Sequence, residues 1–183
     1  MHTIHVSRVP LITWMLSLFK PVLCMKKICI IGIGNPLRRD DGIGIVLLEK
    51  LVEQKKTLPK EIQYLDGGTG GMNLLHILPQ FDIVIIIDAV QFNAAPGSYR
   101  FFTADEITTN KNINSISTHT NQLPQVIEIS RQLEELPKQL FIFGIQPKNT
   151  SYGRNLSNAL KKNIKTLLSS LQNEIETIIE KNK

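Results

Sequence analysis

The sequence predicts a single α/β domain, a mostly parallel twisted sheet of about five strands with helices on both faces. Three observations carry this. Short apolar runs alternate with segments of helical period, as in a doubly wound sheet. The run Ile83–Ile87 is wholly β-branched and apolar, as a central strand covered on both faces requires. Glycine-rich turns follow two of the runs, at Gly32-x-Gly34 and Gly67-Gly68, where such sheets form their sites.

The elements follow in order. Lys26–Gly32 is the first strand. Ile43, Val46, Leu47 and Leu51 mark one face of a helix running to about Gln54. Ile62–Leu65 is the second strand, and Met72, Leu75 and Leu78 form a short helix ended by Pro79. Ile83–Ile87 is the third strand, closed by Asp88, and Ser98–Thr103 a further one, antiparallel and at an edge. A helix capped by Thr120 or Asn121, with Pro124 in its first turn, ends near Leu136-Pro137. Leu140–Ile145 is the last strand. Leu156, Leu160, Ile164, Leu167, Leu171, Ile175 and Ile178 then describe a long amphipathic helix.

Composition narrows the function classes. A length of 183 residues gives one domain as the prior, large enough to bury a core. The net charge of +5 comes from dispersed lysines, several on the polar face of the last helix, without interleaved aromatics. That pattern is a solvated surface rather than a nucleic-acid site. The two cysteines, Cys24 and Cys29, are too few for a disulfide framework and fit a reducing cytoplasm. Cys29 reads as a small buried hydrophobe in the first strand. Residues 1–24 hold an apolar run, Val9 to Phe19, broken by Pro10, Thr13 and Ser17 and lacking a small-residue cleavage site. They read as an extension from an upstream start or a disordered tail, ahead of a domain spanning residues 25–183.

The stretch from Ile30 to Gly44 is the most telling. It opens like a dinucleotide-binding turn, but Leu37 stands where the third glycine belongs. Asp40 and Asp41 then occupy the mouth of the following helix. Acids are comfortable at a helix N-terminus, yet they repel a bound pyrophosphate. Asp41, Asp66 and Asp88 each follow a different strand, so the topology gathers them at one edge of the sheet. His119, in a loop ahead of a helix, can reach that rim. Two carboxylates and an imidazole suit a divalent transition metal with open positions, and do not choose between nickel and zinc.

Gly32-x-Gly34-Asn35-x-Leu37-x-x-Asp40-Asp41-Gly42-x-Gly44 resembles the start of the hydrogenase maturation endopeptidases. The likeness continues through Asp66-Gly67-Gly68-Thr69-Gly70-Gly71, Ile87-Asp88-Ala89, Thr118-His119 and Gly144-Ile145-Gln146-Pro147, in the family's order. The resemblance implies an enzyme that clips a C-terminal extension from the large-subunit precursor of a [NiFe] hydrogenase after nickel insertion. Asp41, Asp88 and His119 match the family's metal-contacting residues and are expected to be catalytic. The nickel is expected to arrive with the substrate, and Asp66, Gly67 and Gly68 to form a substrate loop. No nucleotide cofactor, nucleic-acid partner or membrane insertion of the folded domain is expected; the enzyme should be a cytoplasmic monomer.

Plainer roles are available for each residue. Asp40 should serve mainly the helix start, worth about 1 kcal/mol. Asp88, at the end of its strand, also reads as a cap for the next segment, and Asp66 as an Asx-turn residue. Gly67, Gly68, Gly70 and Gly71 read as a flexible, close-packing loop. His119 reads, without the resemblance, as an exposed loop histidine, and His76 as structural. Asp41 and Asp88 should be exposed, with little packing of their own. Two other functions compete, a nucleotide-binding oxidoreductase and a non-catalytic nickel-sensing chaperone of the same fold. There is no Gly-x-Ser-x-Gly elbow, His-Glu-x-x-His or Walker loop.

Overall fold

The computed structural model describes residues 26–54, 58–59, 61–109, 114–115 and 122–182. Strand β1 (Ile28–Gly32) leads through a 3-10 turn (Arg39–Gly42) into α1 (Ile43–Glu53). Next come β2 (Gln63–Asp66), α2 (Leu74–Ile77) with a 3-10 turn at Leu78–Gln80, β3 (Ile83–Gln91), β4 (Tyr99–Thr103) and α3 (Ala104–Thr109). The chain closes with β5 (Asn114–Ser115), α4 (Gln122–Gln132), β6 (Gln139–Ile145) and α5 (Asn158–Lys181). The main sheet runs in the order β2-β1-β3-β6-β4, with β5 paired to β3 off this path. Strands β2, β1, β3 and β6 are parallel. Strand β4 is antiparallel to β6 and lies at the end of the order, as its sequence suggested.

Strand alternation divides the core into two layers. Ile30, Ile85, Ile87 and Phe143 face α1 and α5, where they meet Leu47, Leu51, Leu160 and Leu171. Ile31, Val84, Ile86 and Ile142 face the other way, onto Leu74, Val126 and Ile127 of α2 and α4. Both faces are therefore covered, which is why β3 needs no polar alternation. Cys29 is fully buried in the second layer. Burial pushes its thiol up to about 12, so it is the inert small hydrophobe expected.

Several boundaries differ from expectation for identifiable reasons. Strand β3 does not end at Ile87 but continues to Gln91, because β6 pairs through Ala89 and β5 pairs with Val90 and Gln91. Helix α4 stops at Gln132, short of Leu136: Glu134 adopts a left-handed φ of 58°, and the Glu135 N–H reaches the Ser130 carbonyl at 2.8 Å. Glycine usually marks such a stop, so nothing in the sequence signalled it. Helix α3 was not anticipated, although its signal was present. The Thr103 N–H donates to Glu106 Oε2 at 2.8 Å, and the Glu106 N–H donates to Thr103 Oγ1 at 3.3 Å, a reciprocal capping box. Ser157 caps α5, so Leu156 packs on the core from just outside that helix. Among the described residues no helix is long and apolar enough to cross a membrane. The N-terminal extension and Cys24 lie outside them.

Candidate functional site

The carboxyl ends of β1, β2, β3 and β6 form one edge of the sheet, and the chain turns there are bound tightly together. The turn after β1 is set by two glycines. Gly34, at a φ of 137°, passes over the Asp41 carbonyl oxygen, where any Cβ would collide. Gly44 wedges the start of α1 between the carbonyl oxygens of Ile33 and Ile87, again leaving no room for a Cβ. Helix α1 therefore starts against the ends of both β1 and β3. Asp41, three residues earlier, is carried to the same place. Its Oδ2 accepts the Asn35 N–H at 3.1 Å, folding the loop back on itself.

Asp88 sits inside β3, not at its end, in register with Gly144 of β6. The structure corrects the expectation of exposure, since Asp41 and Asp88 are both fully buried. Asp88 Oδ1 accepts the Ala89 N–H at 2.7 Å. Beyond it, buried Gln146 holds the chain leaving β3. Its Oε1 accepts from Phe92 N–H at 3.0 Å and Ala94 N–H at 3.3 Å, and its Nε2 donates to Gln91 Oε1 at 2.7 Å. The Gly144–Pro147 motif was legible, but this bracing role of Gln146 was not.

Asp40 is the largest departure. It was expected to serve a helix start; instead its buried carboxylate is a clamp. Oδ2 accepts the Lys148 and Asn149 N–H groups, each at 2.9 Å, and Oδ1 accepts the Ser157 N–H at 2.6 Å. One side chain thus ties both ends of the β6–α5 loop to the turn that carries Asp41. Hydrogen bonds to an ionised acceptor are worth about 1.5–3 kcal/mol each, so three outweigh the small dipole term. The partners lie more than a hundred residues away in sequence, so no local pattern announces them.

Asp66 makes the Asx turn expected of it, accepting the Gly68 N–H at 2.8 Å. The following loop is pinned rather than flexible at its start: Gly67 N–H donates to Gly32 O at 2.9 Å and Gly68 O accepts Gly34 N–H at 2.7 Å. Asp66 ends β2 at the same edge but is exposed, where Asp41 and Asp88 are buried. His76 is exposed on α2, while His119 lies outside the described residues. Among the described residues no three His, Cys, Asp or Glu side chains gather as a metal centre. Asp41 and Asp88 are thus two buried carboxyl groups at one edge of the sheet.

The backbone of the β1–α1 loop excludes a phosphate cradle. A dinucleotide site needs amide N–H groups aimed outward at this turn. Here the amides of Gly34, Asn35, Leu37, Arg38, Arg39, Asp40 and Asp41 all donate within the protein.

Comparison with known proteins agrees with this geometry. A family described as hydrogenase maturation protease matches residues 45–174. The chain belongs to this family. The hydrogenase 2 maturation protease of Escherichia coli K12 is 37% identical over 67% of the chain and 74% of its own length. The hydrogenase expression/formation protein HupD of Rhodobacter capsulatus is 29% identical over 86% of the chain and 73% of its own length. The match to HupD of Thiocapsa roseopersicina spans 62% of that protein. Among solved structures, the hydrogenase maturating endopeptidase HybD of E. coli superposes with a TM-score of 0.71 at 33% identity, over 82% of this chain and 93% of that one. As a hydrogenase maturation protease, the chain is a hydrolase of the peptidase class, and the oxidoreductase alternative falls away.

Proposed function

We propose that this protease removes the C-terminal extension of a [NiFe] hydrogenase large-subunit precursor after nickel insertion, recognising the precursor's nickel through Asp41, Asp88 and His119. The observation that carries the reading is the pair Asp41 and Asp88, fully buried carboxylates from distant parts of the chain brought to one edge of the sheet. Burying a carboxylate costs several kcal/mol, so a fold that buries two beside its turns supports a cationic ligand there. Connectivity supports His119 as the third donor. Ser115 pairs with Val90, two residues past Asp88. His119 follows four residues further along the chain.

Nickel is part of the substrate in this reading, and no nucleotide takes part. Polarisation of the scissile carbonyl by the metal and removal of a proton from attacking water by a carboxylate draw on the same three residues. Water oxygen joins the carbonyl carbon, the peptide C–N bond breaks, and the leaving amine takes a proton. Asp66, Gly67 and Gly68 line the approach as a substrate loop. The reading includes a cytoplasmic monomer with residues 25–183 sufficient for activity.

Incubation with nickel-loaded and nickel-free precursor, followed by mass measurement, tests this. Shortening of the loaded form alone is expected; binding without shortening would instead make the chain a nickel-sensing chaperone. Free Ni²⁺ should bind the isolated chain modestly, and more weakly below about pH 6.5, where a histidine ligand becomes protonated. Binding unchanged at acid pH would remove His119 from the set.

A further inference from the structure

Exposed apolar side chains are unevenly distributed over this molecule. Leu37, Met72, Tyr99 and Tyr152 all lie at the edge that holds the buried acids, whereas Leu133 lies at the opposite one. Large exposed apolar groups gathered beside a site mark an interaction surface more often than chance exposure does. The two most prominent at this edge, Leu37 at 54% exposure and Tyr152 at 79%, belong to loops that the structure binds into one lip. Arg39 N–H donates to Gly153 O at 2.8 Å and Gly153 N–H to Leu37 O at 2.9 Å, a short parallel bridge. Arg38 Nε donates to Thr150 O at 3.1 Å, and its guanidinium lies 5.2 Å from the centre of the Tyr152 ring. Arg39 holds a left-handed φ of 47°, which costs a non-glycine residue about 1–2 kcal/mol and is kept in place by these bonds. With the Asp40 clamp behind it, the lip is fixed before any partner arrives, so little ordering is lost on contact.

Its exposed charge is equally one-sided, because Asp40 and Asp41 of the same turn are buried beneath it. Arg38, Arg39, Lys148 and Arg154 stand on these two loops, and residues 33–39 and 146–157 contain no acid. Among the described residues none of the four cations is in an ion pair. Lys148 and Arg154 are exposed and Arg38 and Arg39 half-buried, so an apolar and aromatic lip flanked by positive charge is complementary to a peptide with apolar and acidic side chains.

We propose that this Leu37–Tyr152 lip docks the precursor, gripping a segment near the scissile bond that carries an apolar side chain beside an acidic one. The proposal rests on the function argued above and adds the surface that selects the client. Affinity of the full chain for nickel-loaded precursor is measured by biolayer interferometry, alongside cleavage by mass. Leu37→Ser with Tyr152→Ser should raise Kd at least about tenfold, as loss of exposed aromatic anchors does at interfaces. The loss in processing should appear as a raised KM. Arg154→Glu should weaken binding less and flatten its dependence on salt, while Leu133→Ser, at the far edge, should leave Kd alone. Unchanged unfolding temperatures establish that the variants fold. If the wild type binds and the double variant binds as tightly, the lip is not the docking surface, whether or not cleavage occurs. Binding that depends on the lip without any cleavage would overturn the enzymatic reading and keep the surface. A wild type that neither binds nor cleaves overturns both.

Discussion

The two edges of the sheet handle carboxylates in opposite ways. At the amino edge, Asp82 bridges Lys138 Nζ at 2.8 Å and the Lys27 N–H at 3.0 Å, with the lysine side chain 77% exposed. At the carboxyl edge, Asp40, Asp41 and Asp88 are entirely removed from solvent and accept from backbone amides. The first arrangement costs little and contributes little. The second buries three carboxyl groups at one edge, where desolvation makes ionisation expensive. An edge that tolerates this cost is one on which the ligand, or a neighbouring loop, depends. The comparison also separates the three acids: Asp40 ties down a loop, whereas Asp41 and Asp88 are the pair to which the proposed function assigns the ligand.

The largest effects should come from breaking the ligand pair. Asp41→Asn and Asp88→Asn keep size and burial but remove the charge, and each should slow precursor cleavage about 10²–10⁴-fold. The alanine variants should lose the same activity and, because the sites are buried, some stability as well. A normal rate in either asparagine variant, read from the mass of the product over time, would reassign the site.

Asp40→Ala attacks the other kind of buried acid. Three amide N–H groups lose their acceptor at once, so stability should fall by about 3 kcal/mol or more, non-additively. For a domain of this size that is a drop in Tm of roughly 6–12 °C. Amides of Lys148, Asn149 and Ser157 should exchange faster than those of β3, showing that the loop has come loose. A loss of only about 1 kcal/mol would return Asp40 to an ordinary helix-start role.

Gly44→Ala sharpens the comparison from the backbone side. A Cβ there meets the backbone carbonyl oxygens of Ile87 in β3 and of Ile33 just past β1, which cannot move aside cheaply. About 1–3 kcal/mol should be lost through overpacking, with activity falling because the turn bearing Asp41 shifts. Full activity with a wild-type Tm would mean that the turn is not held by this contact.

How much of this was legible follows the range of the interactions. Strand β3, the helical faces and the antiparallel edge strand were readable because period and β-branching are local properties of the chain. Asp41 and Asp88 were readable as positions, from the glycine turn and the apolar run that precede them. Their burial was not, since it depends on contacts between segments far apart in sequence, such as the pairing of Asp88 with Gly144 of β6. Asp40 was misread for the same reason: its partners lie at residues 148, 149 and 157. The stop of α4 at Glu134 was invisible because a glutamate takes the conformation that normally announces glycine. Helix α3, by contrast, carries its signature locally, in the Thr103 and Glu106 capping box.

The smallest effect belongs to the amino edge. The hydrogen bond from Lys138, then that from the Lys27 N–H, hold the Asp82 carboxyl below its usual range. A folded-state pKa lowered in this way contributes stability that is present above the unfolded value, about 3.9, and is lost as pH falls through the folded one. Lys138 is exposed, so solvent screens the pair and the contribution should stay below about 1 kcal/mol. Asp82→Asn should therefore cost a few tenths of a kcal/mol in urea unfolding at pH 7, less at high salt. The gap between variant and wild type should close as the pH falls below about 4. A gap that persists in acid would mean that Asp82 acts through its hydrogen-bonding shape rather than its charge. The two edges would then differ in burial but not in how they use their carboxylates.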